Sequence, residues 1–259
     1  MRSARRLLRR KERTALGQFL AEGRQAVAEA LARPGTVTEL LVGDDVVERH
    51  QDLLAAAVRS GVRVATVPPA LLATLADTVT PQGVLALCGT VDLPLEEALA
   101  GSPRLVVLCD QVRDPGNLGT VVRCADAFGA DAVLVSAGSV DLYNAKTVRA
   151  STGSIFHLPV ALEVDLAAAV ARARGLGMAV YGADGGGHVS VEDLAAAGRL
   201  DRPVLWVMGN EAWGLPPEHA ALLDDLVALP MYGRAESLNL STAAAVFLYA
   251  TATAQRAGS

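Results

Sequence analysis

Three short stretches of this 259-residue chain combine residue types that could do chemistry. The first is Asp110-Gln111-Val112-Arg113-Asp114-Pro115-Gly116-Asn117-Leu118-Gly119, with Arg123 beyond it. Asp114 suits a helix N-cap and Pro115 the first helical position. Gly116 and Gly119 let a ligand or another backbone approach closely. Free N–H groups at the positive end of a helix dipole suit a phosphate. Asn117 would sit in the first turn and Arg123 about one and a half turns further on. A plain capped helix with a solvated arginine fits the same residues. The second stretch, Gly209-Asn210-Glu211-Ala212-Trp213-Gly214-Leu215, sets a carboxylate between glycines after an apolar run. There it is either a turn residue or a site residue. The third runs Leu229-Pro230-Met231-Tyr232-Gly233-Arg234-Ala235-Glu236-Ser237-Leu238-Asn239-Leu240-Ser241 into an Ala-rich helix. Ser237 and Asn239 flank Leu238, and only one of them can be the N-cap. The other needs a partner in the protein or in a ligand.

Each stretch follows a short, β-branched run, at 105–109, 204–208 and 226–229. With similar runs at 132–135, 157–161 and 178–181, these alternate with helical segments. The pattern predicts βα units: an α/β domain with a mostly parallel sheet and helices on both faces. Ligands of such sheets bind beyond the carboxyl ends of strands, so the fold would bring the three stretches to one rim. Gly185-Gly186-Gly187 follows a later strand and reads as a flexible loop. No G-x-G-x-x-G follows 105–109, which excludes a dinucleotide-binding oxidoreductase. Upstream, the pattern predicts a basic helix over 2–13, a helix over 22–33 ended by Pro34-Gly35, and a strand at 37–42. A helix at 44–60, a strand at 62–67, a short helix at 68–76 and a strand at 84–91 complete it. The stretch 92–103 mixes Pro, Gly, Ser and acids and reads as a linker. The expected organisation is a small α/β domain over 1–91, a linker over 92–103 and a parallel α/β domain over 104–259.

Apolar residues make up 51% of the chain, enough for a sizeable core. The net charge of −5 hides an asymmetry. Residues 1–13 hold seven of the 23 basic residues and one acid, Glu12, leaving 16 basic against 27 acidic residues in the rest. Arg2, Arg5, Arg6, Arg9, Arg10 and Arg13 recur at helical spacing, with Leu7 and Leu8 on the other side. Such a stripe suits a polyanion; a solvated tail is the plain alternative. Arg113, Lys146, Arg149 and Arg234 near the strand ends could extend the surface. Cys88, Cys109 and Cys124 form no CxxC pair, and the histidines at 50, 157, 188 and 219 lack ligand spacing. No metal site is expected, and the thiols fit a reducing cytoplasm. Lys11-Glu12-Arg13 interrupts any apolar segment after the early Arg pairs, as an export signal would not. The uncharged run 238–254 contains Asn239, Ser241 and several Thr and is short for a bilayer. It reads as a helix buried on most sides.

Taken together, Asp114-Pro115-Gly116-Asn117-Leu118-Gly119 with Arg123, Gly209-Asn210-Glu211, and Pro230-Met231 with Ser237-Leu238-Asn239 resemble the SpoU/TrmH family of RNA ribose methyltransferases in the SPOUT superfamily. The order matches as well. Phe19-Leu20-Ala21-Glu22-Gly23 is similar to the opening of the family's substrate-binding domain, a small α/β fold like that of certain ribosomal proteins. The resemblance implies S-adenosylmethionine-dependent methylation of a ribose 2′-hydroxyl in RNA. It also implies a C-terminal trefoil knot, a rare exception to unknotted topology, and a homodimer to which the last helix, 240–254, contributes. Gly209, Leu229, Met231 and Leu238 would line the cofactor pocket through backbone and apolar atoms. Asn117, Arg123, Glu211, Ser237 and Asn239 would form the catalytic centre. That centre must align the 2′-oxygen, the methyl carbon and the sulfur, and must accept the hydroxyl proton or stabilise the alkoxide. The resemblance makes Arg123 the general base. Because guanidinium groups stay protonated, our expectation is instead that Arg123 grips the target phosphate and stabilises the alkoxide, oriented by Glu211 and Asn117. Arg5, Arg6, Arg9, Arg13, Arg113 and Arg149 are the expected RNA contacts. The extra N-terminal domain favours ribosomal RNA by analogy. Transfer-RNA 2′-O-methylation and a non-catalytic RNA-binding protein that kept the fold are the alternatives.

Overall fold

The computed structural model describes residues 2–78 and 80–257. The chain divides into two compact units. One comprises the described residues up to Val91 together with Asp141–His157; the other comprises Asp92–Val140 and the described residues from Leu158 onward. Two expected boundaries therefore change. The stretch 92–103 belongs to the second unit: Leu93 N–H donates to Val160 O at 2.8 Å, and Ala98 and Leu99 are buried with Val106 and Leu134. Pro94 is the N-cap of a short helix, Leu95–Ala98, that carries Glu96 and Glu97, so the stretch is not a linker. The segment 141–157, expected in the parallel domain, joins the first unit. There Tyr143 and Phe156 pack their rings 4.5 and 6.0 Å from that of Phe19.

The first unit contains α1 (Arg2–Arg6), α2 (Arg10–Leu16), β1 (Gln18–Glu22), α3 (Arg24–Ala32), β2 (Val37–Gly43), α4 (Gln51–Arg59), β3 (Arg63–Val67), α5 (Pro69–Ala73) and β4 (Val84–Gly89). Its sheet runs β1-β4-β2-β3, with β4 antiparallel to β1 and β2, and β2 parallel to β3. The sequence pattern predicts no strand at β1. Phe19, Leu20 and Ala21 are all buried, so no alternation betrays it. The basic helix over 2–13 is two short helices instead of one. Leu7 enters the core beside Ala4, Leu20, Leu41 and Leu85, while Leu8 is exposed.

Two of the expected RNA contacts are occupied within this unit. Arg13 is buried; its Nε and Nη2 meet Asp141 Oδ2 at 3.0 and 2.5 Å, and its Nη1 donates to Leu7 O at 2.8 Å. Arg149 donates to Glu22 and Asp77 at 3.2 and 3.0 Å. Removing either guanidinium would strand buried acceptors. Arg5, Arg6 and Arg9 are exposed, with Arg5 donating to Thr74 Oγ1 and Arg6 paired with Glu12. The Arg2 side chain lies outside the described residues.

The second unit begins with α6 (Leu95–Ala98), β5 (Leu105–Cys109), α7 (Pro115–Phe128) and β6 (Ala132–Ser136). After α8 (Ala145–Ser151), in the first unit, it continues with β7 (Val160–Val164), α9 (Leu166–Gly175), β8 (Ala179–Ala183), β9 (Val189–Ser190), α10 (Val191–Ala196), β10 (Val204–Met208), α11 (Pro217–Ala220), β11 (Asp225–Ala228) and α12 (Leu240–Ala257). The strand expected at 157–161 starts later because a 3-10 turn, Ser154–Phe156, precedes it. Seven strands run in the order β7-β6-β5-β10-β8-β11-β9, and every pairing among them is parallel.

Alternate residues of a strand face opposite sides. Val106, Leu108, Leu205 and Val207 pack in one cluster with Ala98 of α6 and with Ala169 and Val170 of α9. On the other side the Trp206 ring packs, tilted, 4.5 Å from that of Phe247 of α12, and its indole N–H donates to Thr251 Oγ1 at 2.9 Å. Helices therefore cover both faces, as expected of a buried parallel sheet. The uncharged run that forms α12 buries one side only: Ala244, Phe247, Leu248 and Thr251 are buried, while Val246 and Tyr249 are exposed. No helix among the described residues is long and apolar enough to cross a membrane.

Candidate active site

The carboxyl end of β5 feeds directly into α7. Asp114 caps that helix, accepting the Asn117 N–H at 2.9 Å, and Pro115 occupies the first turn. These are the roles that their types favour. The turn holds Gln111 at φ +53°, a left-handed conformation uncommon outside glycine, and Ser136 Oγ accepts its N–H at 2.9 Å. Just beneath, the carboxylate of Asp110, 1% exposed, meets His219 Nδ1 at 2.5 Å and so ties β5 to α11.

The loop after β10 closes on itself. Asn210 and Gly214 exchange two backbone hydrogen bonds of 2.9 Å, and Asn210 Oδ1 accepts the Ala212 N–H at 2.8 Å. Gly209 tolerates no side chain, because a Cβ there would lie 2.6 Å from the Gly214 carbonyl carbon. Asn210 Nδ2 donates to Gln111 O at 2.7 Å, fastening this loop to the one after β5.

Glu211 joins the two loops again. Its Oε2 accepts the Arg113 N–H at 3.1 Å; its Oε1 accepts the Asp114 N–H at 3.2 Å and Asn117 Nδ2 at 3.0 Å. Neighbouring atoms partly desolvate the carboxyl, which opposes ionisation. The hydrogen bonds from Asn117 and from the backbone of Glu211, Arg113 and Asp114 outweigh this and hold it below the usual carboxylate value. Asn117 Oδ1 in turn accepts Asn239 Nδ2 at 2.9 Å. Asn239 is the N-cap of α12: its Oδ1 accepts the Ser241 N–H and hydroxyl at 2.9 and 2.7 Å. Among the described residues Ser237 finds no hydrogen-bond partner, so of the two polar residues flanking Leu238 it is the one open to a ligand.

The chain Glu211–Asn117–Asn239 forms part of the wall of a cavity of about 700 Å³. Gly209, Leu229, Met231, Leu238 and Ser237 line it too. Of the residues expected at the catalytic centre, Arg123 is the exception: it is exposed on α7 and is not among the lining residues. Arg113 is exposed at the rim, engaged with Glu211 through its backbone. The sequence pattern missed a fourth contributor. Ala183, Asp184, Gly185 and Gly186, at the carboxyl end of β8, line the same cavity, and Asp184 Oδ1 accepts the Gly186 N–H at 2.8 Å. The glycine run is thus part of the wall and not merely a flexible loop. The strand-end rule applied to the run at 178–181 was the available signal.

These features define a parallel α/β protein whose cavity opens at the strand ends and carries a fixed carboxylate–amide chain. The SpoU rRNA Methylase family pattern matches residues 104–249, and the MRM3-like substrate binding domain pattern matches residues 1–86. The chain belongs to the SpoU rRNA methylase family. It is 37% identical over 243 residues to the 23S rRNA (guanosine(2553)-2′-O)-methyltransferase RlmP of Bacillus subtilis (strain 168), covering 93% of this chain and 90% of that protein. It is 33% identical to the 23S rRNA (uridine(2479)-2′-O)-methyltransferase of Streptomyces viridochromogenes, covering 93% of this chain and 84% of the relative. The crystal structure of the SpoU methyltransferase AviRb from Streptomyces viridochromogenes in complex with the cofactor AdoMet superposes with a TM-score of 0.85 at 31% identity, covering 100% of this chain and 98% of that one.

Proposed function

We propose that this protein methylates a ribose 2′-hydroxyl of 23S ribosomal RNA, using S-adenosylmethionine. The observation that carries the reading is the hydrogen-bonded chain Glu211–Asn117–Asn239, drawn from three distant stretches, on the wall of one cavity. The cavity suits that cofactor. Leu229, Met231, Leu238 and Phe247 offer apolar surface to a flat base, and Gly209 keeps the backbone close. Its described lining holds the carboxylates Asp184, Glu211 and Glu236 but no Lys, Arg or His, which favours a cation. When bound, S-adenosylmethionine supplies an electrophilic methyl group on its sulfonium. Asn117 and Asn239 hold amide groups in fixed orientation, Glu211 locks the loop that presents Asn117, and the Ser237 hydroxyl is available to a ribose. These side chains orient the 2′-hydroxyl and leave it one line of approach. Arg123 grips the target phosphate and stabilises the developing alkoxide, the hydroxyl proton passing to solvent water as the oxygen takes the methyl group and the donor would leave as a neutral thioether.

In our reading the protein acts as a homodimer in the cytoplasm, and the chain after β11 is threaded as a trefoil knot. Support for the dimer comes from α12, which presents Val246 and Tyr249, 40% and 60% exposed. A dimer also accounts for Arg123, which stands outside the cavity of its own copy.

The decisive assay is methyl transfer from labelled S-adenosylmethionine to an in vitro transcript of bacterial 23S rRNA, followed by alkaline hydrolysis. A 2′-O-methyl group removes the hydroxyl that cleaves the next phosphodiester, so label must remain in an alkali-resistant dinucleotide. Label released as mononucleotides overturns ribose methylation.

RNA capture is assigned to Arg5, Arg6 and Arg9, with Arg113 at the rim. Arg13 and Arg149 keep structural ion pairs. Truncating residues 2–13 would therefore mix electrostatics with loss of folding. The cleaner variant replaces Arg5, Arg6 and Arg9 by Ala. Three lost phosphate contacts flatten the slope of log affinity against log salt by about 2. An unchanged slope removes the stripe from the RNA surface.

A further inference from the structure

Glu211 shares its loop with Trp213. The chain has two tryptophans. Trp206 is fully buried under α12, whereas Trp213 is 55% exposed and lines the cavity. An indole left in water forgoes a large burial gain, and its setting here is rigid. The Asn210–Gly214 closure, the Asn210 bond to Gln111 and the Glu211 bonds to Arg113, Asp114 and Asn117 fix the loop on both sides of it. A ring presented this way loses little freedom when it binds.

We propose that Trp213 is a stacking platform for the base of the nucleotide being methylated. This specificity role rests on the reading of the cavity as an RNA ribose methylation site. RNA is recognised sequence-specifically by splaying bases out and stacking them on aromatic rings. A nucleotide whose ribose enters a cavity must leave its own stack, and the enzyme must replace that contact. The described lining contains no basic side chain to hold phosphate, so the base, flat and uncharged, is the part of the nucleotide that fits beside the indole. Leu229, Met231, Leu238 and Phe247 already supply apolar surface for an adenine, which leaves the rim tryptophan to the RNA.

The test compares wild type, Trp213→Ala and Trp213→Phe on an in vitro transcript of bacterial 23S rRNA. Trp213→Ala is expected to raise KM for the RNA about ten- to a hundred-fold, the range of one base–aromatic stack. Affinity for S-adenosylmethionine, measured without RNA by equilibrium dialysis, stays within about two-fold of wild type, and Trp213→Phe recovers most of the loss. A KM unchanged by Trp213→Ala overturns the proposal. So does an equal loss of cofactor affinity, which would put the indole against the donor. Tryptophan emission provides an arm that needs no methyl transfer. Saturable quenching by the same transcript, present in wild type and absent in Trp213→Phe, supports stacking; equal emission changes in both overturn it. A wild-type protein that methylates no ribose would instead defeat the functional reading alone, since the emission arm reads stacking regardless.

Discussion

Replacing Glu211 by Ala is expected to slow single-turnover methyl transfer about a hundred- to a thousand-fold at saturating cofactor, with folding little changed. The size follows from losing one fixed, charge-assisted anchor at a reacting centre. Glu211 holds Asn117 Nδ2 and two backbone N–H groups at once, so without it the Asn117 amide is free to turn away from Asn239. The side chain is exposed, so water satisfies the abandoned donors and the melting temperature moves little. Gln is not a mild substitute. Both carboxylate oxygens accept from N–H groups, and an amide NH2 would set donor against donor at one of them. Glu211→Gln should therefore behave like Ala. Its carboxyl is held below the usual value, so the anchor is fully present above the ordinary carboxylate pKa and is lost only as pH falls through the lower folded value. Any limb of the rate profile between about pH 6 and 9 belongs to another group. Wild-type rates from either variant would remove Glu211 from the centre.

Arg123→Ala is expected to lose about a hundred-fold or more in kcat/KM for RNA, and to regain activity when mixed with Glu211→Ala. Asn117 and Arg123 are six residues apart on α7, so they sit about 120° apart around the helix. One copy alone thus turns Arg123 away from the face that carries Asn117. If a second copy delivers it, a heterodimer of the two variants has one site with both residues intact. Random pairing of equal amounts gives about a quarter of wild-type activity. If Arg123 acts within its own copy, every site in the mixture lacks one residue and the mixture stays at background. Arg123→Lys separates its two chemical roles. Retention of most of the rate, with no change in the pH profile, fits phosphate grip and alkoxide stabilisation. A titrating limb present only with arginine makes it the base.

Much of the site was legible because its parts are locally encoded. The Asp114 cap and Pro115 were readable from type and spacing, as were the apolar runs of β5 and β10 and the polar stretches behind them. Other features had no local signal. β1 is buried in nearly every residue and so shows no alternation. The sequence pattern could not tell that Arg13 and Arg149 satisfy Asp141 and Glu22 in place of meeting a polyanion, since their partners lie 128 and 127 residues away. It left Glu211 as turn or site residue, and left the cap of α12 to either Ser237 or Asn239.

The residues alone determined which stretches could carry chemistry, because caps, turns and strand periodicity act over a few positions. Only the tertiary structure decided that they meet. Glu211 and Asn117 are 94 positions apart, and Asn117 and Asn239 are 122. They touch because β10 inserts between β5 and β8 and because α12 returns over β10 to pack on α7. Strand order depends on how buried faces fit one another across the whole sheet, a property that no single segment contains.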